Sequence, residues 1–393
     1  MPGSYIVAGA RTPIGKMSGA FSSLSAADLG GFAIAAALQR ANVRPEEVEH
    51  VIMGQVLMAG QGQVPARQAA VKAGIPMSVP SININKVCLS GLNAIYQADQ
   101  MIASGEADII VAGGMESMTN APYIASGARG GFRYGNTELA DAIIKDGLWC
   151  AFDACLMGLG TDRYSAGTIS RDEQDELAMK SHQRAAAAIA SGKFVDEIVP
   201  VSMAQRKGDP IIVDTDEGVR ASTTMESLGG LKPAFDKDGT VTAGNASQIS
   251  DGASAMVIMS KREAEKRGVK PLGEFVGYGM VAGPDSASLL QQPSRSILRA
   301  LERAGKQLSD IDLFEINEAF AAVGVASMRD LGISDDVVNV NGGAIALGHP
   351  IGMSGNRIAL TLLHELHRRG GGMGAAALCG GGGQGDALLI QTI

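Results

Sequence analysis

Two cysteines and one histidine stand in glycine-rich settings far apart in the chain. Cys88 lies in Asn85-Lys86-Val87-Cys88-Leu89-Ser90-Gly91, Cys379 in Leu378-Cys379-Gly380-Gly381-Gly382-Gly383, and His349 in Gly348-His349-Pro350. Glycine lets a ligand approach the backbone closely. Two thiols and an imidazole that converged in space would suit acyl chemistry on sulfur, with a nucleophile, a base and a second acid/base.

Each of the three stands where an element must position it. Cys88 follows a strand-like run, Ser81–Asn85, and precedes a helix with apolar positions at Leu92, Ile95, Tyr96 and Ile102, close to a 3.6-residue period. A thiol at a helix N-terminus meets a partial positive charge, so its pKa is expected to fall. That effect is about 0.3–1 kcal/mol when exposed, so a neighbouring base must supply more. No helical or strand face accounts for His349. His50 opens a strand-like run, His182 falls in a helical segment, and His364 with His367 reads as a surface face before Arg368 and Arg369.

The chain repeats itself. At an offset of 263, five of nine positions are identical between Ala33–Ala41 and Ser296–Ala304, and Ser90-Gly91 meets Ser354-Gly355 at an offset of 264. In each copy a helix is followed by an apolar strand ending in glycines, Ile109–Gly114 and Ala376–Gly381. Four elements in one order indicate two similar α/β halves, with strands buried on both faces. The Cys88 and His349 turns are then equivalent, and pseudo-twofold packing brings them together. Residues 119–247 have no counterpart and form an inserted, loop-rich segment with one clear helix, Asp172–Ala190, opened by a capping box at Ser170. An insertion of that length serves as a lid or binding domain.

Bulk properties exclude other classes. A net charge of −8, with no long Lys/Arg block, argues against nucleic acid. No run of about 18 apolar residues predicts a membrane span. The run from Met1 to Val7 is strand-like at once, leaving no room for a leader, and the C-terminus carries no retention tail. Four cysteines in 393 residues suit a reduced compartment, and Cys150 with Cys155 reads as small buried side chains rather than a redox or metal pair. The expected setting is cytoplasmic. Gly380-x-Gly382-x-x-Gly385 imitates a dinucleotide fingerprint, but a strand follows it where a helix is required. The segment Gly9 to Lys16 misses the P-loop spacing.

The full set of motifs resembles the four signature blocks of the thiolases: Asn85-Lys86-Val87-Cys88-x-Ser90-Gly91, Asn317-Glu318-Ala319-Phe320, Asn341-Gly342-Gly343-Ala344-x-Ala346-x-Gly348-His349-Pro350-x-Gly352-x-Ser354-Gly355, and Cys379-Gly380-Gly381-Gly382-x-Gly385. Ala10–Gly15 and Thr242–Ser247 match as well, so the likeness spans the chain. It implies duplicated βαβαβαββ halves in a layered α/β/α/β/α core. Residues 1–118 with 248–270 would form the N-terminal half, 119–247 the inserted loop domain for coenzyme A and oligomer contacts, and 271–393 the C-terminal half.

Within the family the chain looks most like the members that join two acetyl-CoA into acetoacetyl-CoA. The alternatives are a thiolase cleaving longer 3-ketoacyl-CoA in β-oxidation and a non-catalytic acyl-CoA-binding protein on the same fold. The resemblance implies that Cys88 carries the acyl group, His349 takes its proton and Cys379 removes the α-proton of the second thioester. It places one oxyanion site at His349 and a water held by Asn317, and the other at the N–H groups of Cys88 and Gly381. Leu148, Met157, Phe235, Ala243 and Phe320 would line the pantetheine tunnel. Ser247 would meet the pantetheine amides, and Arg220 and Ser227 the nucleotide.

Acetyl-CoA, acetoacetyl-CoA and CoA are the implied partners, with no permanently bound cofactor or metal, in a homotetramer built as a dimer of dimers with 119–140 as a contact loop. Leu156 departs from the family, whose biosynthetic members carry His there. The segment Gly283–Pro293 is longer than usual and is placed to shape the acyl pocket. Neighbouring reactive thiols at Cys88 and Cys379 are also open to reversible oxidation.

Overall fold

Strands buried on both faces cannot alternate polar with apolar residues, and these do not. Every residue of the two long strands Ile109–Ser117 and Ser250–Ser260 is buried. The computed structural model describes residues 3–205 and 207–393, so the first two residues of the N-terminal run lie outside it. We label the main strands β1 (Ser4–Arg11), β2 (His50–Gly54), β3 (Ser81–Ile84), β4 (Ile109–Ser117), β5 (Ser250–Ser260), β6 (Gly273–Ala282), β7 (Leu313–Ile316), β8 (Met373–Gly380) and β9 (Gln384–Gln391). The helices that cover them are α1 (Ala26–Ala41), α2 (Pro65–Lys72), α3 (Ser90–Ser104), α4 (Arg171–Ala190), α5 (Gln292–Ala304), α6 (Ala321–Leu331) and α7 (Ser354–Arg368).

The duplication is visible in the pairing. In the first half β2 runs parallel to β3 and β4, β4 antiparallel to β5, and β5 antiparallel to β1. In the second half β7 runs parallel to β8, β8 antiparallel to β9, and β9 antiparallel to β6. The counterpart of β3 is reduced to one parallel bridge, Phe314 to Val338. The two sheets touch through a short contact, Tyr5 opposite Glu274 and Ile6 opposite Gly273.

Opposite faces of each sheet feed different cores, which fixes the layers. Val51, Met53, Val111 and Val257 pack under α1 and α2. Their neighbours Ile52, Ile110, Ala112 and Ile258 face inward onto α3 and α7, where Leu313, Ala376, Leu378 and Leu388 arrive from the second sheet. The outer face of that sheet, with Phe314, Ala375 and Leu389, is covered by Ile297, Ala300 and Leu301 of α5. The result is the expected α/β/α/β/α stack. Since α3 follows the Cys88 turn and α7 follows the His349 turn, the central layer brings both turns to one junction.

The helix of the inserted segment starts at Arg171, behind the expected capping box: Ser170 Oγ accepts from the Glu173 N–H, and Glu173 returns the bond to the Ser170 N–H. Contacts of α4 run to the second half, where Ser181 donates to Glu318 at 2.6 Å and Arg184 to the Val338 carbonyl at 3.0 Å. Cys150 and Cys155 are buried, as expected, and face each other across a two-residue strand pair. The surface reading of His364 fails: α7 is buried on most sides, burial lowers the pKa of His364, and its Nε2 is buried with no protein partner. No helix among the described residues is long and apolar enough to cross a membrane.

Candidate active site

The Cys88 turn is short and tightly tied. Asn85 Oδ1 accepts from the Val87 N–H at 3.1 Å, and Ser90 Oγ accepts from the Lys86 N–H at 2.8 Å while donating to the Val87 carbonyl at 2.6 Å. Val87 takes φ +51°, an uncommon value for a β-branched side chain. The turn is anchored to the other half by Lys86 Nζ, 2.7 and 2.9 Å from the buried carboxylate of Asp386, which also accepts from Tyr278 at 2.8 Å.

The His349 turn enters from the second half. Gly348 has φ +115°, and a Cβ there would fall 2.5 Å from Ser250 Oγ, so only glycine fits. His349 is 6% exposed, and its Nε2 lies 3.3 Å from Cys88 Sγ. Its Nδ1 is 2.6 Å from Ser354 Oγ, whose own hydrogen goes to the Pro350 carbonyl at 2.9 Å. A hydroxyl has one hydrogen, so Ser354 accepts from Nδ1–H. The tautomer is thereby set, with a bare Nε2 facing the thiol.

Asn317 closes the arrangement. Its N–H donates to Ala377, its Nδ2 sits 3.5 Å from His349 Nε2, and its Oδ1 is buried without a protein donor. Cys379, 2% exposed, ends β8 beside them.

These groups open on a small pocket lined by Cys88, His349, Cys379 and Gly381, with Leu148, Met157, Ser247 and Phe320. Phe235 stands edge-on to Phe320 at 6.5 Å and lies over Gly158, where a Cβ would collide with its ring. Ala243, Arg220 and Ser227 are exposed and lie outside this lining. The Arg220 N–H donates to His182 Nδ1, and Ser227 lies in the first turn of a short helix, Met225–Gly229, where its Oγ accepts from the N–H of the capping residue Thr224.

Sequence reasoning passed over Ser354 and Leu289. The first had a signal, its alignment with Ser90. The second lies in the long segment 283–293 and is 2% exposed against the pocket. At Gly380 a Cβ would meet the Leu89 side chain at 2.7 Å. At Gly381 a Cβ would find ordinary contact at 3.5 Å.

The electrostatics reverse one expectation. Burial pushes the Cys88 thiol up to about 12, against the pull of the Cys88 and Gly381 N–H groups and with an added push from Glu116. The helix N-terminus does not prevail because desolvation of a thiolate outweighs a terminal dipole. Burial, with the charge of Arg357, lowers His349 to about 3. Cys379 is raised by burial and by the nearby Cys88. At neutral pH the site therefore rests as neutral thiols and a neutral imidazole, with a hydrogen bond in place for proton transfer.

A strained turn presenting a thiol to an imidazole, with a second thiol in the same pocket, between duplicated α/β halves, defines an acyl-transferring enzyme of the thiolase class. The chain matches the model for the thiolase N-terminal domain over residues 4–262 and that for the C-terminal domain over 269–392. It belongs to the thiolase family. It is 57% identical to the probable acetyl-CoA acetyltransferase of Mycolicibacterium smegmatis, over 98% of this chain and 100% of that protein. It is 51% identical to the acetyl-CoA acetyltransferase of Cupriavidus necator, over 98% of each. Against the acetyl-CoA acetyltransferase of Shinella zoogloeoides it is 50% identical, over 99% of each.

Proposed function

We propose that this chain is an acetyl-transferring thiolase that condenses two acetyl-CoA to acetoacetyl-CoA and CoA, and catalyses the reverse thiolysis. The observation that carries the reading is the 3.3 Å approach of His349 Nε2 to Cys88 Sγ in a pocket shared with Cys379.

In the first half-reaction Cys88 Sγ attacks the thioester carbon while its proton passes to His349 Nε2. The C–S bond to coenzyme A breaks, and that proton leaves on the departing thiol. In the second, Cys379 gives its proton to His349, neutral again once coenzyme A has left, and as thiolate takes the α-proton of a new acetyl-CoA; the His349 proton returns to Cys379 when the turnover closes. The carbanion attacks the acetyl-Cys88 carbonyl, a C–C bond forms, and the bond to Cys88 Sγ breaks. The proton on Cys379 then restores the Cys88 thiol. Oxyanion charge is met by the N–H groups of Cys88 and Gly381 at one thioester, and by His349 with a water on Asn317 at the other. The two N–H groups that pull on the Cys88 sulfur support the first assignment.

Leu148, Met157, Phe320 and Ser247 follow the pantetheine arm, Phe235 and Ala243 continue the tunnel, and Arg220 and Ser227 meet the nucleotide. Residues 119–247 form the loop domain that binds coenzyme A and reaches a neighbouring subunit. Leu289 lines the same pocket as Cys88 and Cys379, which supports a small acyl donor. A cytoplasmic homotetramer in fatty acid metabolism completes the reading. The subunit contacts of that reading are supported by the free edge of β3, with Ile82 45% exposed, and by the exposed Tyr123, Phe132 and Tyr134. Comparing kcat/KM for thiolysis of acetoacetyl-CoA and an eight-carbon 3-ketoacyl-CoA tests it. The four-carbon substrate is preferred on this reading, and preference for the longer one contradicts it.

A further inference from the structure

Glu116, near the end of β4, is 0% exposed, and among the described residues no cation pairs with it. Its carboxylate is held by main chain instead. Oε1 accepts from the Leu57 N–H, and Oε2 from the N–H groups of Val56 and Gly352, each at 3.0 Å. Val56 and Leu57 leave β2 in the first half. Gly352 belongs to the turn that carries His349 from the second.

The crossing is tight. A Cβ on Gly114 would fall 2.0 Å from the Gly352 carbonyl, and Cβ atoms on Gly54 and Gly91 would both fall 2.8 Å from it. Ile351 of the same turn packs with Val56 and Leu57 against Val87 and Cys88. One carboxylate thus joins the base's turn to the wall behind the nucleophile.

We propose that Glu116 is a positioning residue for the Cys88–His349 pair, fixing the His349 turn to the Val56–Leu57 segment through three main-chain hydrogen bonds. The proposal rests on the thiolase reading above. A buried carboxylate without a cation is costly, and burial raises Glu116 to about 7, with Asp251 adding to the rise. In turn its charge raises the Cys88 thiol. Keeping such a group where an apolar side chain would pack suits a task that needs acceptors.

The variants Glu116→Gln and Glu116→Asp test it. Gln keeps the volume but presents an NH₂ to a backbone N–H. Asp keeps the charge but falls short. A displacement of about 1 Å at a reacting pair costs on the order of 100-fold. The expected result is a kcat loss of about 10- to 100-fold for Glu116→Gln and a smaller one for Glu116→Asp, with KM for acetoacetyl-CoA within about two-fold. Alkylation of Cys88 by iodoacetamide at pH 8 should become faster in Glu116→Gln, because a negative charge beside the thiol is gone. Slower turnover with faster alkylation is not what general loosening produces. An unchanged kcat, or kcat, KM and thermal stability failing together in both variants, overturns the proposal. If Glu116→Gln does not fold, Glu116→Asp alone decides by its kcat. A wild-type enzyme inactive in thiolysis would instead sink the thiolase reading itself.

Discussion

The turn that bears Cys88 and the turn that bears His349 occupy equivalent places in the two halves, between the third strand position and the helix of the central layer. They are built differently. The first passes from β3 to α3 through residues 85–89, with a valine forced to φ +51°. The second runs from the Val338 bridge to α7 through residues 339–353, with a short helix, Ala344–Leu347, and positive φ at Gly342 and Gly348. A serine opens each helix and bonds back to its turn, Ser90 to the Val87 carbonyl and Ser354 to the Pro350 carbonyl. Only Ser354 has the further task of accepting from an imidazole. The duplicated scaffold supplies two turns at one junction, and loop length and glycine placement set them apart: a stiff short turn for the thiol, a long one for the imidazole.

The largest break in this comparison is removal of the Cys88 thiol. Cys88→Ser should lower thiolysis by at least about 10⁴-fold, and His349→Ala by about 10²–10⁴-fold. If the two act as one unit, the double variant is no slower than Cys88→Ser alone in a coupled spectrophotometric assay.

Next comes the charge state of the short turn. Below its pKa a thiol gains about ten-fold in thiolate per pH unit. With Cys88 pushed up to about 12, alkylation of the free enzyme should climb from pH 7 to 10 without levelling off. A plateau near pH 7 would mean that the helix N-terminus governs the thiol after all.

A smaller effect concerns what anchors that turn. Asp386→Asn leaves Lys86, whose side chain is 21% exposed, without its charge partner. About 2–4 kcal/mol of stability should be lost in urea titration. No change would show that the turn is held by its local hydrogen bonds alone. Smallest is the second serine. Ser354→Ala frees His349 Nδ1–H of its acceptor and should cut kcat by about ten-fold with KM nearly constant. Ser90→Ala, which touches no imidazole, should change stability rather than kcat.

The halves, the layers and the meeting of Cys88 with His349 were legible because a repeat at a fixed offset records topology. The capping box at Ser170 marked its helix because capping is local chemistry. The acidity of Cys88 was not legible, since the helix end is written in the sequence but the depth of burial is a property of the assembled junction. Nor was Ser354 as the partner of Nδ1, which depends on a rotamer. The exposure assigned to His364 failed for a related reason: a helix in the central layer is covered on faces that charged ends make look free. Glu116 reads as an acidic residue closing a strand, and only the fold shows that three main-chain N–H groups from two halves converge on it.

The central claim, that the stiff turn carries the acyl group and the long turn moves its proton, is tested most directly by peptide mass spectrometry. The enzyme is mixed with acetyl-CoA, quenched in acid and digested. The account predicts one acetyl group on the peptide containing Cys88, formed far more slowly in His349→Ala. An acetyl group on the Cys379 peptide instead, or none in an enzyme that turns over, would contradict it.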